Sequence, residues 1–81
     1  MKKLTTVKFN KMVEVFKTDV QDIKQSALLI RKLKEHIPGS CVNFDLEDCD
    51  KVLRVEGEYI QPQSIIILLN DCGYRCEVLD Y

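Results

Sequence analysis

The chain has 81 residues, a net charge of −1 and 31% charged residues. This length fits one domain with a core of modest size, and the composition is that of an ordinary globular protein. A net charge near zero argues against a nucleic-acid binder that works by neutralising phosphates. No apolar run is long enough to predict a membrane span.

The N-terminal residues do not have the pattern of a secretion signal. Met1, Lys2 and Lys3 resemble its charged start, but residues 4–10 lack the apolar stretch that follows in a signal peptide. We therefore expect a cytoplasmic protein whose four cysteines are thiols. Their even number would also allow two disulfides, which is the alternative. Residues 1–11 are predicted to be an N-terminal extension, and residues 12–81 the folded domain.

The first strand and the first helix follow this extension. Residues 12–17 predict a strand in which Val13 and Val15 face inward. Apolar residues then recur at helical spacing, which predicts a helix over residues 23–37. The proline–glycine pair at 38–39 ends that helix, because proline and glycine are typical helix stops.

A β-hairpin is predicted over residues 41–57. Apolar and polar residues alternate on both sides of an acidic turn at residues 47–50. A hairpin alone is only marginally stable in water, so its apolar face needs a cover. The two predicted helices are the elements of the chain that can supply it.

The second helix is predicted to begin near Pro62 and to end at Gly73. Five apolar residues at 65–69, several of them β-branched, would also suit a strand. We favour a helix because proline is common in a first helical turn and glycine is common just after a helix.

The last strand is predicted over residues 75–79, with Cys76 and Val78 facing inward. The order of elements is then βαββαβ with short connections. Right-handed crossovers turn this order into an α+β fold of the ferredoxin-like type, a four-stranded antiparallel sheet with both helices on one face.

This fold places three connections at the same end of the molecule. They are the loop after strand one, the hairpin turn and the loop before strand four, at residues 18–22, 47–50 and 70–75. Loops that meet on a rigid scaffold are frequent sites of binding and catalysis. We therefore expect a functional site, if the chain has one, at this end.

Several segments resemble the heavy-metal-associated domains of copper chaperones and metal-pumping ATPases. The likeness covers residues 12–79 and includes the proline–glycine pair before strand two, the hairpin stretch and the closing segment CGYRCEVL at residues 72–79. The closing segment is similar to the family's Gly-Tyr-x-Ala-x-Val-Leu, with Cys76 in place of the alanine. The chain also resembles small bacterial proteins that have a similar hairpin and a degenerate metal-binding loop.

The resemblance fails at the family's metal-binding loop, Met-x-Cys-x-x-Cys. The matching residues are Val20, Asp22 and Gln25 in place of the methionine and the two cysteines. Copper(I) prefers thiolate and thioether ligands, which these residues do not offer. The likeness therefore implies the family's fold and a degenerate loop, and we expect no cofactor and no metal at this loop.

The cysteines provide an alternative metal site in another part of the chain. Cys49, Cys72 and Cys76 lie in or beside the loops at the shared end, whereas Cys41 starts strand two at the opposite end. If the protein binds a soft metal, we expect those three cysteines to be the ligands. Their spacing is not that of a known zinc motif, and cysteine is also often a buried core residue.

The second helix has more apolar residues than one sheet-facing stripe needs. Ile67 and Leu68 should then face solvent or a partner. We therefore predict a small, non-catalytic interaction module with a protein partner or homodimer at helix two, and no nucleic-acid partner. The alternative is a soft-metal carrier that uses relocated cysteines. An enzyme is not expected, because no nucleophile and base can be paired.

Overall fold

A computed structural model describes residues 11–79. Six elements follow in the predicted order: β1 (Met12–Thr18), α1 (Ile23–His36), β2 (Cys41–Asp45), β3 (Val52–Gly57), α2 (Pro62–Asp71) and β4 (Cys76–Val78). Most of the predicted N-terminal extension lies outside the described residues. Within residues 11–79, no helix is both long and apolar enough to cross a membrane.

The four strands form one antiparallel sheet in the order β2-β3-β1-β4. The helix α1 packs over β2, α2 packs over β4, and the helices contact each other. They therefore form one layer on one face of the sheet. The predicted α+β class is confirmed, and the strand order is compatible with the ferredoxin-like arrangement.

A single cluster of buried side chains fills the space between the helices and the sheet. Every element contributes to it, as do the connections after β1 and β3. Its members are Phe16, Val20, Leu29, Leu33, Val42, Leu53, Val55, Ile60, Ile65, Leu69 and Cys76. The cluster supplies the cover that the apolar face of the hairpin requires.

The predicted inner face of β1 is wrong. Phe16 is fully buried, whereas Val13 is 43% exposed and Val15 is only partly buried. Successive side chains of a strand point to opposite faces, so burial of Phe16 turns the odd-numbered valines outward. Phe16 buries more apolar area than a valine, which favours this phase.

The inward position predicted for Val78 does not lead to burial. Val78 is paired with Phe16 and so lies on the helix-covered face, but its side chain is exposed. Its strand, β4, is an edge of the sheet and only three residues long. Cys76, on the same face, is buried as predicted.

The ambiguous apolar run at residues 65–69 is helical. Pro62 is the first residue of α2, and Gly73 follows its end with a φ of 93°. Gly73 N–H donates to the carbonyl of Asn70 at 2.9 Å, and Tyr74 N–H donates to that of Leu69 at 2.9 Å. This pair of bonds is a Schellman motif, which requires a left-handed residue at the glycine.

Candidate functional site

The last residue of β1 and the first residue of the following loop tie three connections together at one end of the molecule. The Thr18 hydroxyl donates to the Lys51 carbonyl at 2.6 Å, which joins this loop to the hairpin turn. The Asp19 carboxylate accepts from the Arg75 N–H at 2.8 Å, which joins it to the loop before β4. The predicted meeting of the three loops is therefore confirmed. We call this region, residues 19–22, 46–51 and 72–75, the loop end.

The loop that matches the family's metal-binding motif is a helix start in this chain. Asp22 is the N-cap of α1, and its Oδ1 accepts from the Gln25 N–H at 2.9 Å. The Gln25 side chain accepts in turn from the Gln21 N–H at 2.9 Å. Asp22 thus satisfies a backbone donor that the first helical turn leaves unpaired, and Gln25 bonds the residue that precedes the cap.

Val20, at the position where the heavy-metal-associated domains have methionine, is also a structural residue. Val20 is fully buried and belongs to the core cluster. Its N–H donates to the Thr18 hydroxyl at 3.2 Å, which fixes the backbone as the chain leaves β1. The loop therefore presents a valine, a carboxylate and an amide, a donor set that does not suit copper(I).

The four cysteines are all free thiols, and they do not converge. Cys49 and Cys72 are exposed at the loop end, Cys76 is buried, and Cys41 is exposed at the start of β2. In the part of the chain that the structure describes, the one group of three nearby metal-ligand residues is Asp48, Cys49 and Asp50. Cys49, Cys72 and Cys76 are thus not preassembled as a three-thiolate site.

The group formed by Asp48, Cys49 and Asp50 has a structural explanation. Its potential ligand atoms lie within 4.8 Å of one another. However, the Asp48 carboxylate accepts from the Asp50 N–H at 2.9 Å, and the Asp48 carbonyl accepts from the Lys51 N–H at 2.9 Å. These contacts build the hairpin turn, because aspartate side chains commonly bond to the backbone two residues on.

Cys76 is chemically the least suited of the four thiols to bind a metal. Burial raises its pKa from 9.0 to about 12, with a smaller contribution from the nearby charge of Glu77. The thiolate is the form that binds metals, and burial in apolar surroundings disfavours it. Cys76 therefore acts as a small apolar core residue.

The outer face of α2 contains one clearly exposed apolar side chain. Ile67 is 56% exposed. Leu68 is only partly exposed and packs against the core on the side that faces α1, near Lys32 and His36. The two residues predicted together for partner binding are thus not equivalent, and Ile67 is the accessible one.

Sequence reasoning missed a second apolar surface, on α1. Ile23 is 77% exposed and Leu28 is 49% exposed, and Ala27 is exposed between them. The signal was present in the sequence, because Ile23, Ala27 and Ile30 share one flank of a helix at spacings of four and three residues. The core lies on the adjacent stripe of α1, with Leu29 and Leu33, so this flank is exposed among the described residues. The sequence pattern alone does not show which of the two stripes meets the sheet.

Comparison with known proteins adds no family assignment. No protein-family model matches this chain, and no curated protein matches it.

Proposed function

We propose that the protein is a small, non-catalytic interaction module that binds a partner protein through the outer face of α2. The observation that carries this proposal is the exposure of Ile67 on a helix whose one charged residue is Asp71. Charged residues are depleted and apolar residues concentrated at the centres of protein interfaces. Gln63 and Asn70 lie one turn to either side of Ile67 and can supply the polar rim.

The proposal includes a relation to heavy-metal-associated domains whose metal loop has become structural. The fold class, the buried Val20, the cap at Asp22 and the contact between Gln25 and Gln21 support it. A soft-metal carrier that uses Cys49, Cys72 and Cys76 is the weaker proposal, because the last of these is buried and the three are not grouped.

Photo-cross-linking at Ile67 tests the α2 interface. Benzoylphenylalanine replaces Ile67 in one protein and Tyr59 in a control, because both side chains are well exposed and lie on different surfaces. In an extract of the cells that make the protein, we expect an adduct with one protein from position 67 that position 59 does not give.

Competition shows whether this adduct depends on the α2 face. Excess unlabelled wild-type chain should suppress the adduct, whereas excess Ile67→Lys should not, since a buried lysine without a partner is costly at an interface. Ile67→Lys should keep the wild-type circular dichroism spectrum because the side chain is exposed. Equal competition by both chains would contradict the proposal.

A further inference from the structure

Within the described residues 11–79, the strand β2 leaves one edge of the sheet open. It is the outermost strand on its side, and it pairs with β3 without interruption from Cys41 to Asp45. Proteins usually protect such edges with lysine, proline, a bulge or a very short strand. The sequence CVNFD of β2 has no lysine, proline or bulge, and its one charged residue, Asp45, is at its end, whereas the opposite edge, β4, has only three residues.

One hydrogen bond fixes the direction of the backbone groups across the sheet. The Leu79 N–H donates to the Val15 carbonyl at 2.8 Å, so the backbone groups of Val15 point toward β4. Successive residues of a strand point these groups to opposite sides. The groups of Phe16 therefore point toward β3, where its partner Leu53 points back at β1.

The same alternation identifies the free groups on β2. Because Leu53 points toward β1, its neighbours on β3 point toward β2 and bond to their pairing partners there: residues 52 to 45, 54 to 43 and 56 to 41. The N–H and carbonyl groups of Val42 and Phe44 are left on the open edge. Their side chains lie on the helix-covered face, where Val42 is buried and Phe44 partly buried.

An apolar strip on α1 runs beside this edge. Ile23, Ala27 and Ile30 share the flank of α1 about half a turn from Lys32, which lines the groove between α1 and α2. Ile23 is strongly exposed and lines a depression with Leu46, the residue that follows β2. Open backbone groups and uncovered apolar side chains thus occur together on one side of the molecule.

We propose that a second copy of this chain covers this side, by antiparallel pairing of the two β2 edges about a twofold axis at Asn43. This interface goes beyond the proposed function and does not use the α2 face. Val42 of each copy lies opposite Phe44 of the other, so the open backbone groups of both copies are paired. The two sheets join into one of eight strands.

The residue pattern of β2 is self-complementary in this pairing. Apolar Val42 and Phe44 flank Asn43 symmetrically, so apolar residues meet apolar residues on the helix-covered face. On the other face, Cys41 lies opposite Asp45 of the second copy. A symmetric interface requires such a patch, which matches itself when it is turned by half a turn.

The charges on α1 also favour a second copy over an unrelated strand. The twofold axis makes the two α1 helices antiparallel, so Lys34 near one C-terminus lies beside the N-terminus of the other. Asp22 is at that N-terminus, and Oδ1 is the carboxylate oxygen that caps the helix. The second oxygen can accept from Lys34 of the second copy, while Ala27 and Ile30 pack across the seam.

Sedimentation equilibrium of the full chain under reducing conditions tests this dimer. The test variant is Ile23→Lys with Ala27→Lys, which places cations beside Lys34 of the second copy. Both side chains are exposed, so the fold is retained. One control is Leu28→Lys, a single lysine on the α2 side of the same helix, and a second control is the single change Ile67→Lys.

We expect a monomer–dimer equilibrium whose dissociation constant rises about tenfold or more in the double variant and changes less than about twofold in the controls. Exchange of the Val42 and Phe44 amide hydrogens should slow as the dimer forms. A monomer at about 1 mM, or a dimer that the double variant leaves intact, would overturn the inference. Weakening by Ile67→Lys instead would assign self-association to α2 and leave the edge unpaired.

Discussion

Two neighbouring side chains hold the loop end together. Thr18 donates to the hairpin turn and accepts from Val20, and Asp19 accepts from the loop before β4. Asp22, three residues after Asp19, is the cap of α1. The contact from Asp19 spans 56 positions of the chain, a distance over which local sequence patterns carry no signal.

Removal of the Thr18 hydroxyl should destabilise the protein even when the volume of the side chain is conserved. Thr18→Val conserves the volume but leaves the Lys51 carbonyl and the Val20 N–H without this partner. We expect a loss of about 1–3 kcal/mol in the free energy of unfolding, measured by urea denaturation. Thr18→Ser keeps the hydroxyl and should recover most of the bonding. Equal stability of Thr18→Val and wild type would show that these bonds contribute little.

Alkaline pH should reveal the burial of Cys76. Its pKa is about 12 in the folded chain and 9.0 for the free group, so the unfolded state loses its proton first. The contribution of Cys76 to stability is therefore complete below pH 9.0 and is lost as the pH rises toward 12.

The measurement is the free energy of unfolding as a function of pH. The stability advantage of wild type over Cys76→Ala should shrink from pH 9.0 upward. The matched comparison with Cys72→Ala, an exposed thiol, should not show the same decline. A constant difference between wild type and Cys76→Ala across this range would contradict the burial of Cys76 as a neutral thiol.

At the scale of elements, the residues at the ends of α2 predicted its helical structure better than the residues in its middle. Residues 65–69 suited either a strand or a helix, but Pro62 and Gly73 together indicated a helix, and α2 has those limits. The face of β1 was harder to predict, because both phases of the strand contain apolar residues. Phe16 and Met12 occupy the inner phase with Glu14 between them, so the valines alone gave the wrong answer.

Gly73→Ala should weaken the end of α2. Gly73 has a φ of 93°, a conformation that side chains disfavour, although a Cβ there would meet no atom within 4 Å. The cost is therefore conformational, and we expect about 1 kcal/mol of lost stability in thermal unfolding. Gly73→Asn should cost less, since asparagine tolerates the left-handed region. A more stable Gly73→Ala protein would refute the Schellman geometry.

The loop before α1 offers a direct test of the resemblance to metal-binding domains. Asp22→Cys with Gln25→Cys restores the two thiols and removes the cap, which should cost about 1 kcal/mol of stability. If the backbone is that of the family, the variant should bind copper(I) in a competition titration with a chromogenic chelator. Its control is Asp22→Ser with Gln25→Ser. Copper(I) affinity no greater than that of the control would count against the relation.

At the scale of the whole molecule, the two proposed surfaces lie on different sides. The edge of β2 and the flank of α1 are at one side of the sheet, and α2 packs over β4 at the other. A dimer joined at β2 would therefore carry two free α2 faces. Two linked binding faces can raise the apparent affinity for a clustered partner without any new contact.

The fold could be predicted from the sequence far better than the surfaces. Element order and type follow from periodicity and from helix-end residues, which are local signals. Exposure of Ile23 and Ile67 depends on which stripe of each helix meets the sheet, and that is decided by packing between distant segments. Strand alternation, a local signal, did predict the inward position of Cys76, which is buried.

The central claim is that the protein is an interaction module and not a soft-metal carrier. Native mass spectrometry under reducing conditions, with and without added copper(I) or zinc, tests it most directly. It reports metal content and oligomeric state in one experiment. Our account predicts a monomer–dimer mixture whose masses show no stoichiometric metal in either addition. One metal ion retained per chain, in a form that Cys49→Ser with Cys72→Ser abolishes, would contradict it and identify the protein as a soft-metal carrier.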